Sequence, residues 1–304
     1  MFPTLRQRLL LLLFALVGGI VLVYAADAGG LVPPEGSSGL SLWSSETSAA
    51  QAALIVILAS LPAMVFGLLT ASAANPLAGP FALATVLAVL AAQTGSMVGW
   101  RWRMEATNAL PDAYARLIPE TVIWFVPLLV LVVVIHAWRS AIRSRIPAAL
   151  SGPHPLSDSL GRVGHWHTLM AGVVCAAVAG VIGHFVLASP DPAQVIVGLV
   201  IAFTVGGLVA RLFFPEGGVV GMLFSPLLVA AVAYLHVLIR FDNQDQFVQA
   251  WQRSDLSGLA LALPIHYASA AVAGAALGAG WAQSLEHSHE PAGDAQPPVN
   301  ASRA

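Results

Sequence analysis

Charge is scarce in this 304-residue chain: Asp, Glu, Lys and Arg together make up 9% of it, and the mean hydropathy is +0.80. Water-soluble domains carry about 25% charged residues, so the composition excludes an ordinary soluble fold. Lysine is missing altogether, and all thirteen basic residues are arginine. With a formal net charge of −2, the chain lacks the basic surface that nucleic acid requires. A single cysteine, Cys175, excludes an intramolecular disulfide and any site built on two thiolates. His-Glu-x-x-His, Gly-x-Ser-x-Gly, phosphate-loop and Cys-x-x-Cys signatures are absent too. The sequence therefore leans against an enzyme, and it implies no cofactor.

What is present is apolar length. About eight stretches, at roughly 9–26, 49–74, 77–100, 117–138, 166–187, 195–214, 219–239 and 259–283, approach or exceed the ~20 residues with which a helix crosses a bilayer. Backbone groups in hydrocarbon must be satisfied within the segment, so unbroken runs of this kind are helices. The short alternating segments of a membrane barrel do not occur. The expected fold is all-α: a polytopic transmembrane bundle over residues 1–285, followed by a disordered cytoplasmic tail, 286–304. No hydrophilic stretch is long enough to build a core of its own. Arg6 and Arg8 followed by Leu9–Val23 fit either a cleaved signal peptide or a retained first span, and retention is the preferred reading.

Basic residues near span ends stay cytoplasmic. Arg6 and Arg8 place the N-terminus inside, and Arg139, Arg143, Arg145 and Arg162 place the loop after the fourth span inside as well. Eight spans reconcile the two, with both termini cytoplasmic in a cell membrane, the inner one if the source is bacterial. The Asp27–Ser48 loop then faces out, along with Arg101, Arg103, Arg116, Arg240 and Arg253, which are interspersed with acids. The rhythm of the two halves also suggests a duplication of four spans each. Asn75-Pro76 matches Phe214-Pro215, and Leu117-Ile118-Pro119 matches Leu263-Pro264.

Ionisable groups at membrane depth are costly and point to function. His184, His236 and His266 fall in the outer part of three different spans. Counting by fours from His184 gives Gly180, Ala176 and Gly172; from His266 it gives Ala270, Gly274 and Gly278. Small residues at that spacing mark close helix contact, so both rings are expected to point inward. Three convergent imidazoles could handle protons or bind a transition metal, or each could simply bond a neighbouring helix. Glu120, just after Pro119, is expected at a helix N-terminus, where the dipole favours a carboxylate, or as partner to Arg101, Arg103 or His266. Gln93 and Thr94 would line the same space. The pair His165 and His167 brackets Trp166 and reads as interfacial.

These features predict a small-solute or proton-linked carrier with an outward polar vestibule of His184, His236, His266, Glu120, Arg101 and Gln93. The alternatives are a membrane-embedded metal-dependent enzyme on the three histidines, although no metal site is assigned, and a non-catalytic scaffold. The expected partners are the lipid bilayer and a small solute or proton.

Overall fold

The computed structural model describes residues 13, 17–21, 23–24, 41–42, 49–73, 77–93, 96–106, 110–145, 165–241 and 243–288. Among them the secondary structure is helical, with no strand. In chain order the elements are α1 (Ala49–Ala73), α2 (Ala78–Gln93), α3 (Met97–Ala106), α4 (Leu110–Arg145), α5 (Trp166–Val186), α6 (Pro192–Phe213), α7 (Val219–Arg240) and α8 (Gln244–Gln252). There follow a 3₁₀ turn (Gly258–Leu261), α9 (Pro264–His266), a π turn (Tyr267–Ala271) and α10 (Val272–Ser288).

Four helical stretches are long and apolar enough to cross a membrane: 112–138 within α4, α5, α6 and α7. Only a third of the α5 stretch is buried inside the protein. Its exposed face carries Val173, Val181 and Phe185; α6 exposes Leu212 and Phe213, and α7 exposes Val232 and Ile239. An apolar perimeter of that kind needs an apolar solvent, which is consistent with a membrane protein.

Several boundaries differ from those read in the sequence. The third apolar stretch is bent: α2, ending at Gln93, and α3, starting at Met97, meet at 56°. Helix α4 begins at Leu110 and runs unbroken through Pro119 and Pro127 to Arg145. Proline inside a span-length helix is tolerated more readily than in a soluble one, at the cost of one backbone hydrogen bond per proline. Helix α6 starts three residues before the expected 195, because Asp191 caps it, accepting from the N–H of Ala193 and Gln194, and Pro192 occupies its first turn. The last apolar stretch is not one regular helix: its start lies in the 3₁₀ turn, and the helix proper opens only at Pro264 and passes through the π turn before α10. Pro119 and Pro264, matched in the sequence, thus do different things: one sits inside a continuous helix, the other opens a new one. Helix α10 continues to Ser288, into the expected tail. The first stretch, the loop 146–164, the arginines that set the orientation and residues 289–304 lie largely or wholly outside the described residues or side chains.

The bundle closes on small residues. Around α6, Gly206 meets the carbonyl of Cys175 on α5, and Gly207 meets that of Ala275 on α10. Gly274 and Gly278 on α10 lie against the carbonyls of Val200 and Thr204 in return. Without side chains between them, the backbones approach closely enough for dispersion to hold helices together where lipid removes the hydrophobic drive. Thr168 Oγ1 accepts from the Gly218 N–H, and Arg211 donates to the Gly217 carbonyl, fixing the α6–α7 turn. A methyl group at Gly278 would collide with the Thr204 carbonyl, whereas one at Gly180 meets nothing within 4 Å. Gly278→Ala is therefore expected to cost about 1–3 kcal/mol in thermal unfolding of the detergent-solubilised protein, and Gly180→Ala to leave the transition unchanged or slightly raised.

Candidate functional site

A non-helical segment inside an apolar bundle has carbonyls that no helix satisfies, and water cannot reach them. In the stretch 258–263, three tyrosines meet that need. Tyr267 donates to the Leu259 carbonyl at 2.6 Å, Tyr114 to Ala260 at 2.9 Å and Tyr234 to Ala262 at 2.6 Å. All three side chains are buried and stacked edge-on: Tyr114 and Tyr234 are 6.1 Å apart, as are Tyr234 and Tyr267. Trp100 and Phe247 close the cluster against Tyr114 at 5.3 and 5.1 Å. The sequence did hold a signal for this fork. The chain has only four tyrosines, and a hydroxyl within an apolar run requires a partner.

Beside the fork lies Glu120. It is fully buried and sits ten residues into α4, so it is not an N-terminal carboxylate held by the helix dipole; Asp112 is the acidic residue of the first turn. Its Oε2 accepts from the Ser41 hydroxyl at 2.7 Å, and the backbone of Leu42 bonds to the same carboxyl. Trp124, one turn on, brings its indole toward the carboxyl without completing a hydrogen bond, and Oε1 has no partner among the described residues. Ser41 and Leu42 are themselves buried. Both come from the stretch read as a polar outer loop, and nothing in its local pattern marks them.

His266 is the other buried ionisable group near the break, 1% exposed on α9. Its Nδ1 accepts from the Leu263 N–H at 3.0 Å, and Nε2 has no partner among the described residues.

The remaining expected site residues lie elsewhere. His184 and His236 are exposed. The inward reading of His184 fails because four residues overshoot a helical turn by about 40°, so three such steps from Gly172 rotate the ring by about 120°. Gly172 and Ala176 are buried, Gly180 is half-open and His184 is out. His184 Nδ1 lies 3.3 Å from Ser257 Oγ at the rim of a cleft of about 370 Å³, whose walls include Trp251, Ser254 and Gly258. Arg101 does not meet Glu120; its guanidinium stacks 4.9 Å above the Trp251 ring and pairs with Glu105 at 3.8 Å. Gln93 is exposed, and Thr94 and the Arg103 side chain lie outside the described set. Among the described residues, no three His, Cys, Asp or Glu side chains come together as metal ligands, so the three histidines do not form one site.

No family model, curated protein or solved structure matches the chain. The chemistry must be read from the site itself. It comprises a buried carboxyl with one uncommitted oxygen, a buried imidazole with one uncommitted nitrogen, and an unwound segment between helices.

Removing the Tyr234 hydroxyl leaves the Ala262 carbonyl without that donor. Tyr234→Phe is expected to lower stability by about 1–3 kcal/mol and to speed amide hydrogen exchange across 258–263. Tyr24→Phe, at an exposed side chain, is the matched substitution that should change neither.

Proposed function

We propose that the protein is a multi-pass membrane carrier that moves a small solute in step with a proton, with Glu120 as the group that binds the proton. The observation carrying this reading is the position of that carboxyl, wholly buried within the first third of a span-length helix, with Oε1 unpaired among the described residues. A carboxylate in hydrocarbon needs a proton, a cation or donors to offset its charge, and such residues mark ion and proton pathways. Discontinuous helices at membrane depth are the usual setting for solute sites, and the bundle holds two irregularities of that kind, the bend between Gln93 and Met97 and the segment 258–263. The outward vestibule of three histidines contracts to an interior site with Glu120 and His266 as its ionisable members.

The metal-dependent alternative draws no support from the described residues, since its three ligands are not assembled. The scaffold alternative differs from the carrier in what it predicts for Glu120. In proteoliposomes on a solid-supported membrane, with an imposed proton gradient, a panel of small neutral and anionic solutes should include at least one that drives a current. Glu120→Gln should abolish that current while the protein still folds. A hydrophobic carbodiimide should label Glu120 faster as pH falls, read by peptide mass spectrometry. Labelling indifferent to pH, together with unchanged currents in Glu120→Gln, would favour the scaffold.

A further inference from the structure

We propose that His266 is a binding residue locked in one neutral tautomer. Its Nε2–H is reserved for an acceptor oxygen, carbonyl or hydroxyl, on the carried solute. The solute rests on the carrier reading above; the tautomer does not.

The argument begins with proline. Pro264 has no N–H, so Leu263 supplies the first amide at the start of α9. That amide donates to His266 Nδ1 at 3.0 Å, and the His266 N–H donates back to the Leu263 carbonyl at 2.9 Å. The pair forms a reciprocal cap in which histidine takes the place usually filled by glutamate or glutamine. A backbone N–H can only donate, so Nδ1 must be the bare nitrogen. Neutral imidazole has one donor and one acceptor, and the proton is therefore on Nε2. Charging the ring would place a second proton on Nδ1, donor against donor, and open the cap. Geometry thus opposes the role in which a buried histidine is most readily cast, that of a proton carrier.

The surroundings agree. Helix α9 packs against α4, the π turn, α2 and α6. From α4 the buried titratable groups are Tyr114 and Glu120, with Asp112 and Arg116 exposed and His136 toward the other end. The π turn contributes Tyr267, α2 contributes none, and Arg211 of α6 is held at the Gly217 turn. The Tyr114 and Tyr267 hydroxyls donate to Ala260 and Leu259. Nε2 is left as a buried N–H without an acceptor among the described residues. Glutamate would close the same cap and leave no donor beyond it, so the additional donor is what histidine contributes. The π turn that follows immediately is a second departure from regular helix, and such turns concentrate at functional sites.

The test is ¹⁵N NMR of the histidine rings in the full chain in detergent, with His266→Asn to assign the resonance and His266→Gln for the same purpose if the first variant does not fold. From about pH 5 to 8, where histidine ordinarily changes charge, His266 should keep a bare Nδ1 and a protonated Nε2. Acetamide, a small neutral probe with a carbonyl acceptor, should shift the Nε2–H resonance saturably. Glu120→Gln should retain the bare Nδ1 and the protonated Nε2, so a failure of the proton reading at Glu120 is distinguishable from a failure of the tautomer here. A ring that gains a second proton in that range, a proton found on Nδ1, or a resonance unmoved by acetamide overturns the proposal.

Discussion

The structure depends on how one stretch of non-helical backbone is paid for. Residues 258–263 are buried and lie outside any α-helix, so most of their carbonyls lack the regular donors a helix supplies. Three tyrosine hydroxyls, from α4, α7 and the π turn, take up the carbonyls of Leu259, Ala260 and Ala262. Each bond is modest by itself, but an unsatisfied carbonyl in that setting costs about 1–3 kcal/mol, so the fork decides whether the break can exist at all. It also ties α4 to α7 and to the last helix. Glu120 is thereby held against the break rather than turned to lipid.

The small-residue interface and the polar interior are complementary parts of the same arrangement. Where α6 meets α5 and α10, glycines bring backbones into contact and leave no room for a solute. Between α4 and the segment 258–263 the residues are larger and polar, and three of their atoms, Glu120 Oε1, Trp124 Nε1 and His266 Nε2, have no hydrogen-bond partner among the described residues. That division suits the proposed carrier, with a protonatable carboxyl and a neutral donor placed on different elements.

Much of the site was half-legible. Glu120 and His266 stood out because ionisable residues are rare in apolar runs. Their roles did not. Pro119 suggested a helix start, yet α4 begins nine residues earlier, and a dipole-stabilised end residue became an interior one. His184 was judged by counting in fours, an approximation whose phase error grows with each turn. Ser41 and Leu42 come from a stretch with no apolar period, and the Ser41–Glu120 bond spans 79 positions, so no local pattern could reveal it. The tyrosine fork leaves one trace in the sequence, hydroxyls at Tyr234 and Tyr267 within apolar runs, but not which carbonyls they reach.

The sequence by itself determined the solvent and the secondary structure. Apolar length is a local sum along the chain, and in hydrocarbon a helix is the way such a run satisfies its own backbone. It also determined which residues would be costly to bury. The tertiary structure decided which of those residues are in fact buried and what each one touches. Those outcomes turn on the phase of each helix and on where it breaks. Both are set by contacts between segments far apart in sequence, such as Tyr114 with Ala260 and Ser41 with Glu120.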